Sequence, residues 1–149
     1  MKIGIDIGGS HIGIGLVENN GTIVLKKEIY IKDKTDIENR IERYITENVI
    51  EILQAYGVNQ IGIAVPGTVT DKKIIKAVNL GIVDYDLGNI LEQNLLNLGY
   101  TIDVKLKNDG KCAALAEQKY GALQGYDNSI FLCIGTGVGS AVIFDGKLL

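Results

Sequence analysis

The chain has 149 residues, of which 46% are hydrophobic and 22% charged, and its net charge is −3. This length suits one domain or one lobe of a larger protein, and the composition is typical of a soluble globular chain. The negative charge and the lack of a basic cluster argue against a nucleic-acid or acidic membrane surface. We therefore expect no nucleic-acid partner. We also expect no membrane partner, because no apolar run approaches the ~18 residues of a membrane span and no leader pattern opens the chain.

The chain begins with a predicted β-hairpin. Apolar residues alternate along residues 3–7 and 12–16, and the turn between them is Gly8-Gly9-Ser10. A turn with so few Cβ atoms lets a phosphate approach its N–H groups. Asp6, which lies opposite the apolar face, could hold a hydrated Mg²⁺ at the rim. The alternative interpretation is an ordinary Gly-Gly turn that binds nothing.

A third strand and a long helix follow this hairpin. A turn at Gly21 leads into a strand from Thr22 to about Ile31. Thr35 and Glu38 have the spacing of a capping box, and Gly57 is expected to end the helix. Apolar residues recur at helical spacing at Ile37, Ile41, Tyr44, Ile45, Val49, Ile52, Leu53 and Tyr56.

The rest of the chain alternates between predicted strands and helices, which suggests a mixed sheet with helices packed on it. The predicted elements are a strand at Gln60–Val65, a hairpin around Val69–Ile75 that turns at Asp71-Lys72-Lys73, a loop at Asn79-Leu80-Gly81, a helix from Asp86 or Leu87 to Leu98, a strand at residues 102–107, a helix from Asn108-Asp109 through Tyr120, and strands at Ser129–Ile134 and Ser140–Phe144.

The pattern of the opening hairpin is repeated near the end of the chain. Residues 130–144 repeat the strand–turn–strand pattern of residues 3–17, and Gly135-Thr136-Gly137 stands where Gly8-Gly9-Ser10 stood. Cys133 stands where Asp6 stood. We therefore expect one complete lobe over residues 1–124, followed by the opening β-hairpin of a second lobe over residues 125–149. Two such turns suggest two clamps on one polyphosphate.

The two cysteines, Cys112 and Cys133, lie in apolar stretches without a Cys-x-x-Cys pair, and the chain has a single histidine. A zinc site cannot be assembled from this inventory, so we expect no zinc in this chain. Two reduced, buried thiols are the favoured interpretation, and they indicate a cytoplasmic protein.

Taken together, five short motifs resemble the ROK family of sugar kinases and sugar-responsive repressors, in the actin/hexokinase superfamily. The motifs are Asp6-Ile7-Gly8-Gly9-Ser10, Val65-Pro66-Gly67, Asn79-Leu80-Gly81, Asn108-Asp109-Gly110 with Ala113-Ala114-Leu115, and Gly135-Thr136-Gly137-Val138-Gly139. They fall in family order, with family spacing, across the whole chain. The resemblance implies an α/β fold: a ribonuclease H-like (actin-like ATPase) lobe whose mixed sheet starts with an antiparallel hairpin.

The resemblance also implies an ATP-dependent sugar kinase that transfers the γ-phosphoryl group to a hexose or amino-sugar hydroxyl. In that reading Asp109 is the catalytic base and Asn108 holds a neighbouring sugar hydroxyl. Gly67, Thr68 and Asn79 complete the substrate-binding residues. The expected ATP-binding residues are Asp6, which also holds Mg²⁺ through water, Gly8, Gly9, Ser10, Gly135, Thr136 and Gly137.

Each of these motifs has a plainer alternative. Asn108-Asp109 can be a helix N-cap, Pro66-Gly67 a turn that ends a strand, and Asn79 an Asx turn. The chain also departs from the family pattern: Ser10 stands where Thr is usual, and His11, read here as a turn residue, replaces the usual Lys.

Residues 108–117 are similar to the form in N-acetylmannosamine kinases, which implies an amino sugar as one candidate substrate. The family's Glu-x-x-His element and Cys-rich zinc loop are missing from these 149 residues. We therefore expect little kinase activity from this chain alone, since closure of two lobes assembles such sites. The resemblance implies a homodimer for the full-length protein.

Two other functions remain open at this stage. The first is a sugar-sensing repressor of the same family without its DNA-binding domain, although Met1-Lys2 leads straight into Ile3 and no basic recognition helix is present. The second is a non-catalytic lobe kept for oligomerisation. Asp6 and Asp109 argue against that second function.

Overall fold

The computed structural model describes residues 1–134 and 138–149. Its contacts divide the chain into two compact units, Met1–Lys107 and Asn108–Leu149. The division expected at residue 124, between a lobe and the start of a second one, stays a prediction. None of the helices in the described ranges is long and apolar enough to cross a membrane.

The first unit is built from strands and two helices. The elements are β1 (Lys2–Ile7), β2 (His11–Val17), β3 (Ile23–Tyr30), α1 (Ile37–Tyr56), β4 (Gln60–Val65), β5 (Thr68–Val69), β6 (Ile74–Ala77), a 3₁₀ turn (Val78–Leu80), β7 (Ile82–Tyr85), α2 (Leu87–Asn97) and β8 (Asp103–Asn108), whose last residue belongs to the second unit.

The main sheet has five strands in the order β3-β2-β1-β4-β8. Strand β1 pairs antiparallel with β2 and parallel with β4, so the predicted mixed sheet with an antiparallel hairpin at its start is confirmed. Ile5 lies opposite Ile14 on one neighbour and Ile63 on the other, and all three are buried. The alternation of these strands therefore places one continuous apolar layer on one face of the sheet.

Helix α1 begins differently from the sequence prediction. Its N-cap is Asp36, in a left-handed conformation with φ 53° and without a side-chain capping bond, so the predicted capping box of Thr35 and Glu38 is wrong. Thr35 does not cap the helix because it binds Asp33 instead. The Asp33 carboxylate accepts hydrogen bonds from the Thr35 hydroxyl at 2.5 Å and from the Thr35 N–H at 2.9 Å. Hydrogen bonds from the Thr35 side chain and backbone, more than the charge of Arg40, lower the pKa of Asp33.

The apolar stripe predicted for α1 is confirmed at most positions, and Gly57 ends the helix with φ 60°. Six of its residues are buried in the core that the first unit shares: Ile37, Ile41, Ile45, Val49, Ile52 and Leu53. Tyr44 packs against this core while half-buried, and Tyr56 is exposed.

A small second sheet, β5-β6-β7, follows β4. The hairpin predicted around Val69–Ile75 corresponds to β5 and β6, but the sequence analysis missed β7. The loop predicted at Asn79-Leu80-Gly81 is mostly a 3₁₀ turn, closed by Gly81 at φ 72°. Strand β7 is short and includes Asp84 at φ 59°, so it has no clean alternating pattern to detect.

The second unit contains α3 (Asp109–Tyr120), β9 (Ser129–Ile134), β10 (Val138–Phe144) and β11 (Lys147–Leu148), in a sheet of order β11-β10-β9. Helix α3 packs against β9 and β10. Ala141 and Ile143 of β10 are buried. The opposite face of β9 and β10 is exposed and apolar, with Ile130, Leu132, Ile134, Val138, Val142 and Phe144.

The expectation of two buried thiols is wrong for Cys133, which is exposed on β9, whereas Cys112 on α3 is half-buried. Cys133 lies on a strand whose neighbour at that register is Gly139, and a glycine offers no side chain to cover the thiol.

The buried isoleucines of the main sheet should dominate the stability of the first unit. We expect Ile5→Ala, at a side chain 3% exposed, to lower the free energy of unfolding by about 2–5 kcal/mol, because it leaves a cavity beside two packed isoleucines. Urea denaturation monitored by circular dichroism measures this change. Ile23→Ala on β3 makes the same chemical change at a side chain 60% exposed and should cost under about 1 kcal/mol; equal losses would contradict the assignment of the core.

Candidate functional site

The turn between β1 and β2 is open at Gly9, whereas Gly8 packs against His11. Gly8 N–H donates to the His11 carbonyl at 2.9 Å, and Ile31 N–H donates to the Ser10 carbonyl at 2.8 Å. A Cβ at Gly9 would meet nothing within 4 Å, so this stretch can be approached closely from outside. Neither glycine has a positive φ; the absence of side-chain bulk is what the glycines contribute here.

Asp6 lies just before this turn on the exposed face of β1. Its partner in β2 is Gly13, and a Cβ there would come 3.9 Å from the Asp6 Cβ, so the neighbouring strand leaves room beside the carboxylate. Ser10 is exposed, and its hydroxyl lies 3.4 Å from His11 Nδ1. In the described ranges no group of three or more acidic, His or Cys side chains could hold a metal by itself. A single carboxylate suits Mg²⁺ that arrives with phosphate oxygens and waters as its other ligands.

The predicted substrate residues of the first unit lie together. Gly67, Thr68 and Asn79 line one cavity of about 210 Å³, with Pro66, Lys76 and Val78 as the other lining residues. This volume is below the roughly 300 Å³ at which pockets for drug-sized ligands begin, so the cavity suits a small ligand. Its walls combine backbone, a hydroxyl, an amide and an ammonium group, which are the groups that a polyhydroxylated ligand needs.

Lys76 is the cavity residue that sequence reasoning missed. It pairs with Thr68 across β5 and β6, which explains why both line the same space. The predicted hairpin could have identified Lys76, because residues that pair across two strands on one face are neighbours. Lys34 was also missed: its Nζ donates to the Asn79 carbonyl at 2.7 Å from the segment before α1.

Gly67 is in direct contact with the backbone of β6. Its φ is +109°, and a Cβ there would lie 2.2 Å from the Lys76 carbonyl oxygen. No side chain fits between the two strands at this point, so the turn needs glycine for its conformation and for space. Pro66-Gly67 is thus a turn that ends β4, and it also lines the cavity.

Asn79 lies in the 3₁₀ turn, which the hydrogen bond from Gly81 N–H to the Val78 carbonyl closes at 3.1 Å. Leu80 is buried in the core beside it and anchors the turn. The backbone thus holds Asn79 at the cavity without an Asx turn being needed to explain its position.

In the second unit, Asn108 and Asp109 mark the junction of β8 and α3. Asn108 is the N-cap of α3, since its Oδ1 accepts a hydrogen bond from Lys111 N–H at 3.1 Å. The alternative interpretation of Asn108-Asp109 as a helix N-cap is therefore confirmed for Asn108. Asp109 is the first helical residue, is exposed, and accepts from its neighbour Gly110 N–H at 2.8 Å. Asn108 thus does the capping, while an exposed carboxylate stands in the first turn, where the helix dipole favours negative charge.

The second predicted phosphate turn, Gly135-Thr136-Gly137, lies outside the described residues. The strands that flank it support the predicted repeat. Cys133 pairs with Gly139 in the second hairpin as Asp6 pairs with Gly13 in the first, although one residue fewer separates the two partners.

Comparison with known proteins identifies relatives for the whole chain. The model of the ROK family matches residues 2–149. A glucokinase from Thermotoga maritima is 30% identical over 150 residues, which cover 99% of this chain and 45% of that protein. The xylose repressor of Bacillus subtilis is 31% identical over 154 residues, which cover 99% of this chain and 38% of the repressor.

A crystal structure of a ROK family glucokinase from Streptomyces griseus, in complex with glucose and AMPPNP, matches with a TM-score of 0.85 and 31% identity. The match covers 99% of this chain and 46% of the glucokinase chain. The predicted actin-like ATPase fold is confirmed by this likeness. The chain spans less than half the length of these relatives.

The tight contact at Gly67 generates a prediction for the cavity. Gly67→Ala should lower the free energy of unfolding by at least about 1–3 kcal/mol, because it combines a strained φ with a clash against the Lys76 carbonyl. Urea denaturation measures the change. Gly62→Ala on β4 is the matched control: its Cβ would meet nothing within 4 Å, and we expect little loss there. Two variants of equal stability would contradict the close approach of the strands.

Proposed function

Because this chain belongs to the ROK family, we propose that it is the N-terminal part of an ATP-dependent sugar kinase. The reaction transfers the γ-phosphoryl group of ATP to a hydroxyl of a hexose or an amino sugar. The Thermotoga glucokinase and the Streptomyces glucokinase with bound glucose and AMPPNP support a kinase of this class. Since these relatives are about twice as long, we propose that the 149 residues alone have little activity.

The observation that carries the proposal is the Asn108-Asp109 junction. Asp109 has an exposed carboxylate on the first turn of α3. In our proposal this carboxylate accepts the proton of the sugar hydroxyl as that oxygen attacks the γ-phosphorus, and Asn108 orients a neighbouring hydroxyl. Phosphoryl transfer depends mainly on positioning and charge neutralisation, so one well-placed carboxylate is enough for the protein's part in proton transfer.

The cavity beside β5 and β6 is the proposed sugar-binding region. The Thr68 hydroxyl and the Asn79 side chain supply donors and acceptors for sugar hydroxyls, and Gly67 contributes backbone to the same cavity. Lys76 adds a cationic donor at the same cavity. The cavity's small volume favours a single sugar ring over a longer oligosaccharide.

The turn after β1 is the proposed phosphate-binding region. Gly9 leaves its backbone open to the phosphates of ATP, Gly8 keeps the turn compact with its N–H on the His11 carbonyl, Ser10 adds a hydroxyl, and Asp6 would hold Mg²⁺ through water. When bound, Mg²⁺ neutralises charge on the phosphates. We propose that Gly135, Thr136 and Gly137 have the same role as part of a second lobe that begins near residue 125.

A sugar-responsive repressor is the second candidate, and one observation favours it. The Bacillus subtilis xylose repressor is as similar to this chain as the glucokinase is. In that case the cavity would bind a sugar as an effector, without phosphoryl transfer. Retention of operator DNA by the longest natural form of the protein at physiological salt would support this candidate. For either function we propose a cytoplasmic protein that forms homodimers at full length.

The kinase proposal predicts a large effect at one carboxylate. In the longest natural form of the protein, Asp109→Asn should lower kcat by about 10²–10⁴-fold, the usual contribution of a general base. The fold should be unchanged, because the amide oxygen of Asn can still accept from Gly110 N–H. A coupled assay of ADP release with a panel of hexoses and amino sugars measures kcat.

Asp127→Asn is the matched control, since Asp127 is an exposed aspartate between α3 and β9. It should keep full activity. If Asp109→Asn lost no more activity than this control, Asp109 would not be the base.

A further inference from the structure

The tip of the β5–β6 hairpin is fastened to two other elements by one lysine. Lys72 Nζ forms an ion pair with Glu92 of α2 and donates to the Val104 carbonyl of β8 at 2.6 Å. It also lies 3.3 Å from the Asp103 carboxylate at the start of β8. A single ammonium group thus forms hydrogen bonds with a helix and with a strand that are both distant from it in sequence.

Backbone contacts strengthen the same junction. Gly88 N–H at the start of α2 donates to the Lys72 carbonyl at 2.7 Å, and Leu106 N–H of β8 donates to the Asp71 carbonyl at 2.8 Å. A Cβ at Gly88 would lie 2.9 Å from the Lys72 Cα, so the helix start touches the hairpin backbone directly. The hairpin tip, α2 and β8 therefore meet without a gap at Lys72.

These contacts give hydrogen-bond partners to outer backbone groups of an edge strand. Strand β8 is at the end of the main sheet, next to β4, so its outer backbone groups have no neighbouring strand. Val104 N–H donates to Glu92 Oε1 at 2.8 Å, and Leu106 N–H is taken by Asp71. Lys72 and Glu92 thus act together, one on the carbonyl and the other on the N–H of Val104.

The neighbouring carboxylates favour the positively charged form of Lys72. Burial of the side chain acts to lower its pKa, but hydrogen bonds and charges from Glu92 and then Asp103 outweigh burial, so the pKa is raised. Both side chains of the central pair are about 30% exposed, at 31% and 28%. The pair is therefore shielded more than a surface ion pair.

We propose that Lys72 is a positioning residue for the sugar-binding region and for strand β8, which ends at Asn108. The hairpin that Lys72 holds begins at Thr68, a residue of the cavity, and the strand that it holds leads directly into the Asn108-Asp109 junction. The Lys72 ammonium group contacts Glu92, Asp103 and Val104, and Lys72 is not among the residues that line the cavity, so it acts through the two elements that it joins. This inference rests on the proposed kinase function for its effect on turnover.

The test uses Lys72→Met in the longest natural form of the protein. Methionine keeps an unbranched stem of similar length and removes the ammonium group. We expect amide hydrogen exchange in residues 103–107 to become about tenfold faster or more, because Val104 and Leu106 lose an ordered partner surface. We also expect the KM for the sugar to rise and kcat to fall, each by about fivefold or more, with the KM for ATP unchanged within about twofold.

The matched control is Lys27→Met. Lys27 on β3 pairs with Glu51 of α1 at 2.5 Å, and the two side chains are 33% and 72% exposed, so the same substitution removes an ion pair from a lysine of similar exposure away from the hairpin. Its exchange and kinetics should match those of the unchanged protein within about twofold. Lys72→Arg keeps the positive charge and should recover part of the lost activity and protection.

Glu92→Gln provides a second variant in case Lys72→Met does not fold. The Gln amide oxygen can still accept from Val104 N–H, while the charge beside Lys72 is removed. It should produce the same pattern to a smaller degree: faster exchange in residues 103–107 and a raised KM for the sugar.

Three results would overturn the role of Lys72: unchanged exchange in residues 103–107, equal changes in Lys27→Met, or a fall in apparent kcat with both KM values unchanged. The last result is what a smaller folded fraction alone would produce. If the unchanged protein phosphorylated no sugar, the proposed function would fail instead. The exchange comparison would then still decide whether Lys72 holds β8.

Discussion

The first unit depends on the pairing of β1 with two neighbours of opposite direction. Strand β1 is antiparallel to β2 and parallel to β4, and Ile5 meets a buried isoleucine on each side. Apolar burial of this kind is worth about 1.5–3 kcal/mol for each side chain. It also fixes the register, because a slip by one residue would bury Asp6 and expose the isoleucines. The same alternation that builds the core thus places the Asp6 carboxylate outside it.

Close backbone contacts extend this frame to the candidate site. Gly67 packs on the Lys76 carbonyl, and Gly88 packs on Lys72, so both ends of the β5–β6 hairpin are held where a side chain would not fit. The cavity is therefore bounded by main chain, which has few alternative conformations, as well as by longer side chains. A site of this kind needs little reorganisation when a small ligand binds.

Much of the fold could be predicted from short-range patterns. The alternation in β1, β2 and β4 and the apolar stripe of α1 were visible because each repeats over several turns or residue pairs. The capping box at Thr35 was wrong, since a nearby carboxylate at Asp33 competed for the same hydroxyl. Strand β7 was missed because its pairing with β6, and not its own pattern, makes it a strand.

The role of Gly8-Gly9-Ser10 was predicted from its chemistry and those of Asn79 and Asn108-Asp109 from the family resemblance, and these roles remain predictions. The sequence did not single out the cavity residue Lys76, or Lys72 outside the cavity. Their roles depend on which residue lies across a strand or at a helix start, and a lysine in a hairpin is usually only a solvated charge.

The exposed apolar face of β9 and β10 has a consequence for the behaviour of the chain in solution. Its six apolar side chains make association of the chain a hydrophobic process, so added sulfate should promote aggregation by strengthening the burial of apolar surface. Preparations of these 149 residues should therefore stay dispersed best at low salt and low concentration.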